Sequence, residues 1–546
     1  MPLRILLLFL LGISLGLSAD LAAEARAAMH KATAFYRAQV ATEGGYHFYY
    51  AADLSYGRSE SAEGPTQITV QRQGTPLVGM AYLRAWEATG DRYYLTAARD
   101  AALALVAGQL CSGGWHYIIE FDPAKRGRYA YRRNSSSGDS ARRAFNVTTL
   151  DDNVTQAAVR LMMRVDRELG FENAPIHEAV EYALGKLIEA QYPNGAWPQR
   201  FREPPNPDDF PVKRASYPGT WPWKWPGAGY QQHYTFNDNT IPDLIDMFLE
   251  AARIYDEPRY LAAAERGGGF ILLAQMPDLQ PAWAQQYDRE MHPAWARVFE
   301  PPAVTGGESQ AVLRILLTLY RETGDRKYLE PVPRALAYLE NSILPPSSSE
   351  VYRRASRDGG PVLARFYELR TNRPLYVTKG TQIRVKGRGG YRPDGYQLSY
   401  SDDSVITHYS VLVSGRGLPR LRSDYERIAS ADPATIRRPA RLHGLSPWQQ
   451  EESPPADEAA VRRLAASLDA RGAWLESGYI GKADRIVSVF AARDMVVKVG
   501  EKVLPLRENE SVEVFYGKLP PRENIIRSST FARNLEVLSR YLEQRP

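Results

Sequence analysis

The sequence predicts a mainly α protein: an α/α toroid (an incomplete α/α barrel) of repeated helical hairpins, with long loops and a small β-containing C-terminal region. Three observations predict it. Apolar residues recur at i, i+3, i+4 spacing in runs that come in pairs. The second run of a pair closes on a similar turn, as in Cys111-Ser112-Gly113-Gly114-Trp115 and Asn194-Gly195-Ala196-Trp197. The stretch Thr149-Leu150-Asp151-Asp152-Asn153 returns as Thr235-Phe236-Asn237-Asp238-Asn239, and each opens the first helix of a pair. A hairpin with one apolar face cannot bury it alone, so hairpins of one design must stack. Their spacing is too long for a solenoid of short helices, which favours a toroid with helix starts and loops gathered at one rim.

Taken in order, residues 1–23 read as a signal peptide. Arg4 gives a short positive start, Ile5 to Leu17 an apolar run, and Leu17-Ser18-Ala19 or Leu21-Ala22-Ala23 a small-residue cleavage site. That run is too short to span a bilayer, so a secreted or periplasmic protein with no membrane contact after cleavage is expected. Ala22 to Val40 reads as a helix ending at Gly44-Gly45, followed by an aromatic loop over Tyr46 to Gly64.

The first pair is a helix through Leu77, Met80, Leu83 and Trp86, stopped by Thr89-Gly90-Asp91, and its partner Tyr94 to Gln109. Val154 to Leu169 with Ile176 to Gln191, Thr240 to Tyr255 with Tyr260 to Gln275, and Gln310 to Thr323 with Tyr328 to Ile343 repeat the pattern. The third pair ends near Pro281-Ala282-Trp283. Two long segments interrupt the pairs: Phe121 to Phe145, and Phe201 to Tyr234 with its prolines and Trp221, Trp223 and Trp225. Loops of this length in a compact domain are usually functional or disordered; the position of the tryptophans just before Asp238 favours an ordered wall of a cleft.

After Pro345 the pattern loosens. Arg365 to Leu369 and Asn372 to Tyr376 read as extended, and Ala431 to Ala456 as a Pro- and Arg-rich excursion. Ala459 to Leu468 is helical and leads into another Gly472-Ala473-Trp474. Residues 485–516 alternate like strands, and Phe531 to Leu542 is a last amphipathic helix. The expected division is a signal peptide over 1–23, a toroid over 24–430, and a C-terminal extension over 431–546 whose helix pair is placed to complete the toroid around a small β excursion.

Composition narrows the chemistry. The 44% hydrophobic content is ample for a core. The 33 tyrosines suit a large core first and a carbohydrate-facing surface second. Cys111 is the single cysteine, so neither an internal disulfide nor a thiolate zinc site exists. A net charge of +5 without a Lys/Arg stripe gives no reason to expect nucleic acid. The basic segment Lys379 to Arg392 fits an acidic polymer and, equally, a solvated loop.

The matched turns are the chemical signal. Asp152-Asn153 and Asp238-Asn239 at the starts of equivalent helices suggest oxygen ligands meeting at one point, where a hard cation such as Ca²⁺ would bind. For a single turn helix capping is the better reading; the matched pair makes cap and site about equally good.

The segment after the third hairpin adds Gln280-Pro281-Ala282-Trp283-Ala284-Gln285-Gln286-Tyr287-Asp288, then Pro293-Ala294-Trp295-Ala296-Arg297-Val298-Phe299-Glu300-Pro301-Pro302, then Gly306-Gly307-Glu308-Ser309. With the two Asp-Asn turns, the Arg365-Phe366-Tyr367-Glu368-Leu369 run and Asn372-Arg373-Pro374, the chain resembles the family 10 polysaccharide lyases that act on pectate, over roughly residues 40 to 400. The resemblance implies an α/α toroid and a pectate lyase, a carbon–oxygen lyase that cleaves polygalacturonate by calcium-assisted β-elimination to 4,5-unsaturated oligogalacturonates. It further implies Arg297 as the catalytic arginine acting as base, Asp152 and Asp238 as calcium ligands, and Asp152, Asn153, Trp283, Arg365 and Lys379 as substrate contacts. A monomer is expected. A catalytic arginine faces the difficulty that guanidinium is practically always protonated; a salt bridge of Arg297 to Glu300 or Asp288 is its structural alternative. The segment Phe201 to Tyr234 is longer than the family suggests, and Lys379 stands where a further arginine is expected. Two rival classes stay open: a glycoside hydrolase of an acidic polysaccharide on the same toroid, using Asp152 and Asp238 as its carboxylates, and a non-catalytic binder of acidic glycans.

Overall fold

Why the paired runs become helices is visible at their ends. The computed structural model describes residues 21–134, 143–227, 229–356, 359–379, 383–386, 390–393, 396–402, 405–406, 409–436, 456–480, 486–490, 494–499, 502–507, 511–515 and 522–544. Thr75–Thr89 begins with a proline in its first turn, where the missing N–H costs nothing, and ends on Gly90 at φ 67°, whose N–H returns to the Trp86 carbonyl. Two residues on, Asp91 caps Arg92–Ala107 by accepting from the Tyr93 N–H. Glu308–Thr323 likewise stops at Gly324, φ 73°. The class expected from the sequence, mainly α with repeated helical hairpins and small sheets, is the class observed. Among the described residues no helix is long and apolar enough to cross a membrane.

The chain forms two compact units. The first comprises Met1–Leu187, Arg441–Ile480 and Pro521–Pro546. In it a helix over residues 21–35 runs on as a π turn, Tyr36–Val40. The hairpin Thr75–Thr89/Arg92–Ala107 packs on Val154–Glu168, and Ser528–Glu543 lies against Thr75–Thr89. Phe531 stacks on Tyr36 with ring centroids 3.7 Å apart. Arg84 pairs with Glu536 at 3.1 Å and also with Glu543. A four-stranded sheet puts Glu523–Arg527 between Leu475–Gly478 and Tyr49–Ala51, in antiparallel register Tyr50↔Ile526 and Leu475↔Ile526. The C-terminal segments are thus structural members of the unit that holds the N-terminal helices. Of the signal-peptide reading over 1–23, residues 1–20 lie outside the described residues, and residues 21–23 begin the first helix.

The second unit comprises Ile188–Ala440 and Gly481–Pro520. The hairpin Thr240–Tyr255/Pro258–Ala274 packs on Glu308–Thr323, which in turn meets Val332–Asn341 and Leu418–Ser430. A four-stranded antiparallel sheet runs Tyr396–Ser399, Pro374–Lys379, Phe366–Glu368, Ala303–Thr305, with Phe366 opposite Thr305 and Leu375. Two hairpin-like strand pairs, Ile486–Phe490 with Ser511–Phe515 and Met495–Val499 with Lys502–Leu506, form the β excursion.

Two devices recur. The second helix of each of the first three hairpins is followed by a glutamine whose amide ties its own turn to a neighbouring hairpin: Gln109 Nε2 donates to the Gly113 and Ala179 carbonyls, and Gln191 Nε2 to Gly195 and Ala263. Gln275 Nε2 donates to Pro281 and Pro331. In every case an arginine donates to the amide oxygen: Arg132, Arg266 and Arg334 respectively. The closing tryptophans are the second device. The indoles of Trp115, Trp283 and Trp474 donate back to the carbonyls of Leu105, Ile271 and Leu464. The turn before Trp197 needs glycine: Gly195 has φ 91°, and a Cβ there would sit 2.0 Å from the Arg266 carbonyl oxygen.

Candidate functional site

The two Asp-Asn turns have the same backbone. Asp152 and Asn153 stand at φ 52° and 58°, Asp238 and Asn239 at φ 49° and 61°. Two consecutive non-glycine residues in the left-handed region are sparsely populated, and such conformations gather at functional positions. Neither Asn153 nor Asn239, each at the N-cap position, caps its helix with its side chain. In the first unit Asn153 is 4% exposed, and Gln71 Nε2 lies 3.4 Å from Asp152 Oδ2. In the second, Asn237 donates to Asp238 at 2.6 Å.

Around Asp238 the second unit gathers a polar cluster. Arg297 grips Glu300 in a fork, Nε to Oε2 at 2.9 Å and Nη2 to Oε1 at 2.6 Å, while its Nη2 lies 3.9 Å from Asp238 Oδ2. Glu300 is 1% exposed. Of the two alternative partners expected for Arg297, Glu300 is the one taken; Asp288 faces His292 at 3.9 Å. Arg365 donates to Glu308 at 2.6 Å and approaches Asn237 Oδ1 at 3.4 Å. Burial by itself lowers the proton affinity of the Arg365 guanidinium, but Glu308, Tyr409, Asp238 and Glu300 together outweigh it and raise that affinity above the ordinary arginine value. Arg365 therefore stays charged at any working pH.

Tyr409 is the residue sequence reasoning missed. Its ring lies under Arg365, 4.1 Å from the guanidinium carbon, and 5.5 Å from that of Arg297. Its hydroxyl donates to Glu300 at 2.8 Å and contacts Asn237 Oδ1 at 3.1 Å. Burial, together with Glu300, Glu308 and Asp238 and against Arg365, pushes the hydroxyl far above its ordinary value, so it remains a donor. Gln285 joins the same cluster by donating to Asn237 and Tyr409. No periodic or motif signal marks Tyr409; Gln285 and Glu308, by contrast, lie inside the runs QPAWAQQYD and GGES.

The expectation that Trp283 contacts substrate is corrected. Trp283 is 0% exposed and its N–H is spent on Ile271. It is the hairpin-closing tryptophan of its repeat, as Trp115 is, and that equivalence was the sequence signal for a core role. Lys379 ends the strand Pro374–Lys379, and its side chain lies outside the described residues. The long segment of residues 201–234 is ordered where described: Phe210 is buried against Tyr192, Trp225 Nε1 donates to the Ala296 carbonyl at 2.7 Å, and Trp295 Nε1 donates to Pro222 at 2.7 Å.

The second unit thus presents two guanidiniums, Arg297 and Arg365, each held by a buried carboxylate through charge-assisted hydrogen bonds. Comparison with known proteins makes the assignment: residues 124–397 match the family described as pectic acid lyase, and the chain belongs to that family. It is a lyase of pectate-lyase type. A family 10 polysaccharide lyase from Cellvibrio cellulosa is 22% identical over 54% of this chain and 84% of its own, with a TM-score of 0.37. A mutant of a Cellvibrio cellulosa family 10 lyase, in complex with trigalaturonic acid, is 21% identical over 55% and 86%, TM-score 0.37. A GH76 alpha-mannanase from Bacteroides thetaiotaomicron is 12% identical over 60% and 72%, TM-score 0.32. No curated protein matches the sequence.

Proposed function

We propose that this protein is an exported, monomeric pectate lyase that cleaves polygalacturonate by calcium-assisted β-elimination, leaving 4,5-unsaturated oligogalacturonates. The observation that carries the reading, beyond family membership, is the Arg297–Glu300–Tyr409–Arg365 cluster beside Asp238. In β-elimination the C5 proton leaves to a base, an enolate-like species forms with its charge on the uronate carboxylate, and the C4–O bond breaks with protonation of the departing oxygen. The step needs positive charge on that carboxylate.

Arg365, permanently charged, is fitted to bind a uronate carboxylate, and Lys379 and Asn153 are assigned to further substrate contacts. Asp152 and Asp238 are assigned to calcium. The donor set suits it, since both turns carry carboxylate and amide oxygens, and neither asparagine side chain caps its helix. Calcium, when bound, supplies charge neutralisation at the uronate.

Arg297 is the proposed catalytic residue, and Glu300 gives it two readings. As a base it must present an unprotonated nitrogen, yet Nε and Nη2 both donate to Glu300. As a stabiliser of the enolate it needs no proton loss. The test is ultraviolet absorbance of unsaturated product from polygalacturonate at alkaline pH, with calcium and then with chelator. A calcium-dependent rise abolished in Arg297→Ala supports the proposal. New reducing ends without absorbance would make the protein a hydrolase, and absence of any product would leave a glycan binder.

A further inference from the structure

We infer that the segment Tyr217–Trp225 forms, with the turn Arg370–Arg373 and Tyr400, a distal binding track for an acidic polysaccharide, one that holds polygalacturonate residues remote from the bond being broken. The inference rests on the proposed function for the identity of the sugar, and on the following geometry for the track. The segment is fastened at two points. Trp225 and Trp295 exchange it with the loop that carries Arg297, through indole N–H bonds to Ala296 and Pro222. Arg370 fastens the other side, donating to the Pro218 carbonyl at 3.0 Å and lying over the Tyr217 ring at 5.1 Å.

Between these anchors the rings are left in solvent. Trp223 and Trp225 are 43% and 41% exposed, among the few large apolar side chains so exposed among the described residues. Trp221 stacks on Trp223 at 5.6 Å, Trp223 meets the edge or face of Tyr400 at 5.3 Å, and Arg373 lies 3.4 Å over the Tyr400 ring. Tyr400 is itself fixed by its hydroxyl, which donates to Glu368 at 2.6 Å. Neither Arg370 nor Arg373 has a carboxylate partner among the described residues, although both are exposed. A run of half-exposed rings flanked by two exposed guanidiniums that have no carboxylate partner among the described residues matches a chain of sugars that offers C–H faces and a carboxylate on every residue. A neutral glycan leaves the guanidiniums unused, and an anionic polymer without flat apolar faces leaves the rings unused. The Pro-rich backbone lowers the cost of holding the rings in place.

Trp223→Ala and Arg373→Gln test the track without touching the cluster around Arg297. Steady-state rates are measured on long polygalacturonate and on trigalacturonate, and calorimetry follows polygalacturonate binding in an Arg297→Ala background. We expect about a tenfold rise in KM for the polymer in either variant, with less than a twofold change on the trimer, and a matching loss of affinity by calorimetry. Unchanged polymer KM and affinity overturn the track. Equal losses on polymer and trimer overturn it too, since the segment would then merely prop up the Arg297 loop. A wild-type sedimentation mass of two copies, falling to one in Trp223→Ala, would give the rings to a second copy of the chain and also overturn it. If no unsaturated product forms at all, the lyase reading fails by itself; the track then stands or falls on the calorimetry alone.

Discussion

At Glu300 the cluster can be taken apart one group at a time. Arg297→Ala removes a group positioned for charge stabilisation or proton transfer, and kcat should fall by roughly 10²–10⁴ with little change in KM; steady-state rates on polygalacturonate check it. Glu300→Gln discriminates between the two readings of Arg297. If Arg297 is the base, removing the carboxylate eases its deprotonation and the rising limb of the pH–rate profile moves to lower pH. If Arg297 only stabilises charge, the limb stays in place and the rate alone drops. Tyr409→Phe deletes a donor to a buried carboxylate and should cost about 1–3 kcal/mol of stability, read by denaturant titration.

The same tyrosine fixes a pH sign. Its folded-state value lies far above its unfolded value near 10.0, so the native state keeps a proton that the unfolded state gives up. Its contribution is whole below pH 10 and is lost as pH rises toward the folded value. Thermal stability should therefore decline above about pH 10, and the decline should be shallower in Tyr409→Phe.

Among the elements, the hairpins were legible because two signals agreed: the 3.6-residue period and the Gly, Asp and Pro residues at the ends. Thr240–Tyr255 falls on its expected bounds, while Val332–Asn341 begins later than expected, with Tyr328 in the 3-10 turn Arg326–Tyr328 and Pro331 at the N-cap. The site was legible only where a motif carried it. Asp238, Arg297 and Arg365 lie in such motifs and gather in one cluster; Tyr409 reaches it from a stretch with no pattern, and Trp283 lay in a motif for reasons of packing. Ring burial and motif density look alike in one sequence. The glutamine ties are the elements' most exposed dependence. Gln191→Leu leaves the Gly195 and Ala263 carbonyls and Arg266 without their amide, and should destabilise by about 2 kcal/mol, measured as an earlier midpoint in urea.

For the whole molecule, the first unit is built from both ends of the chain. Glu523–Arg527 is the strand between Tyr49–Ala51 and Leu475–Gly478, and Ser528–Glu543 covers Thr75–Thr89. Deleting residues 521–546 strips a central strand and a helix face at once, so the truncated protein should lose cooperative unfolding of this unit. Limited proteolysis should then cut within residues 21–187 at a rate the full chain does not show.

That closure also sets a clock. Tyr49 cannot find Arg527 until Arg527 itself has been made. At about 5–20 residues per second the early strand waits on the order of a minute with an unpaired edge. Its helices must stay unaggregated through that interval.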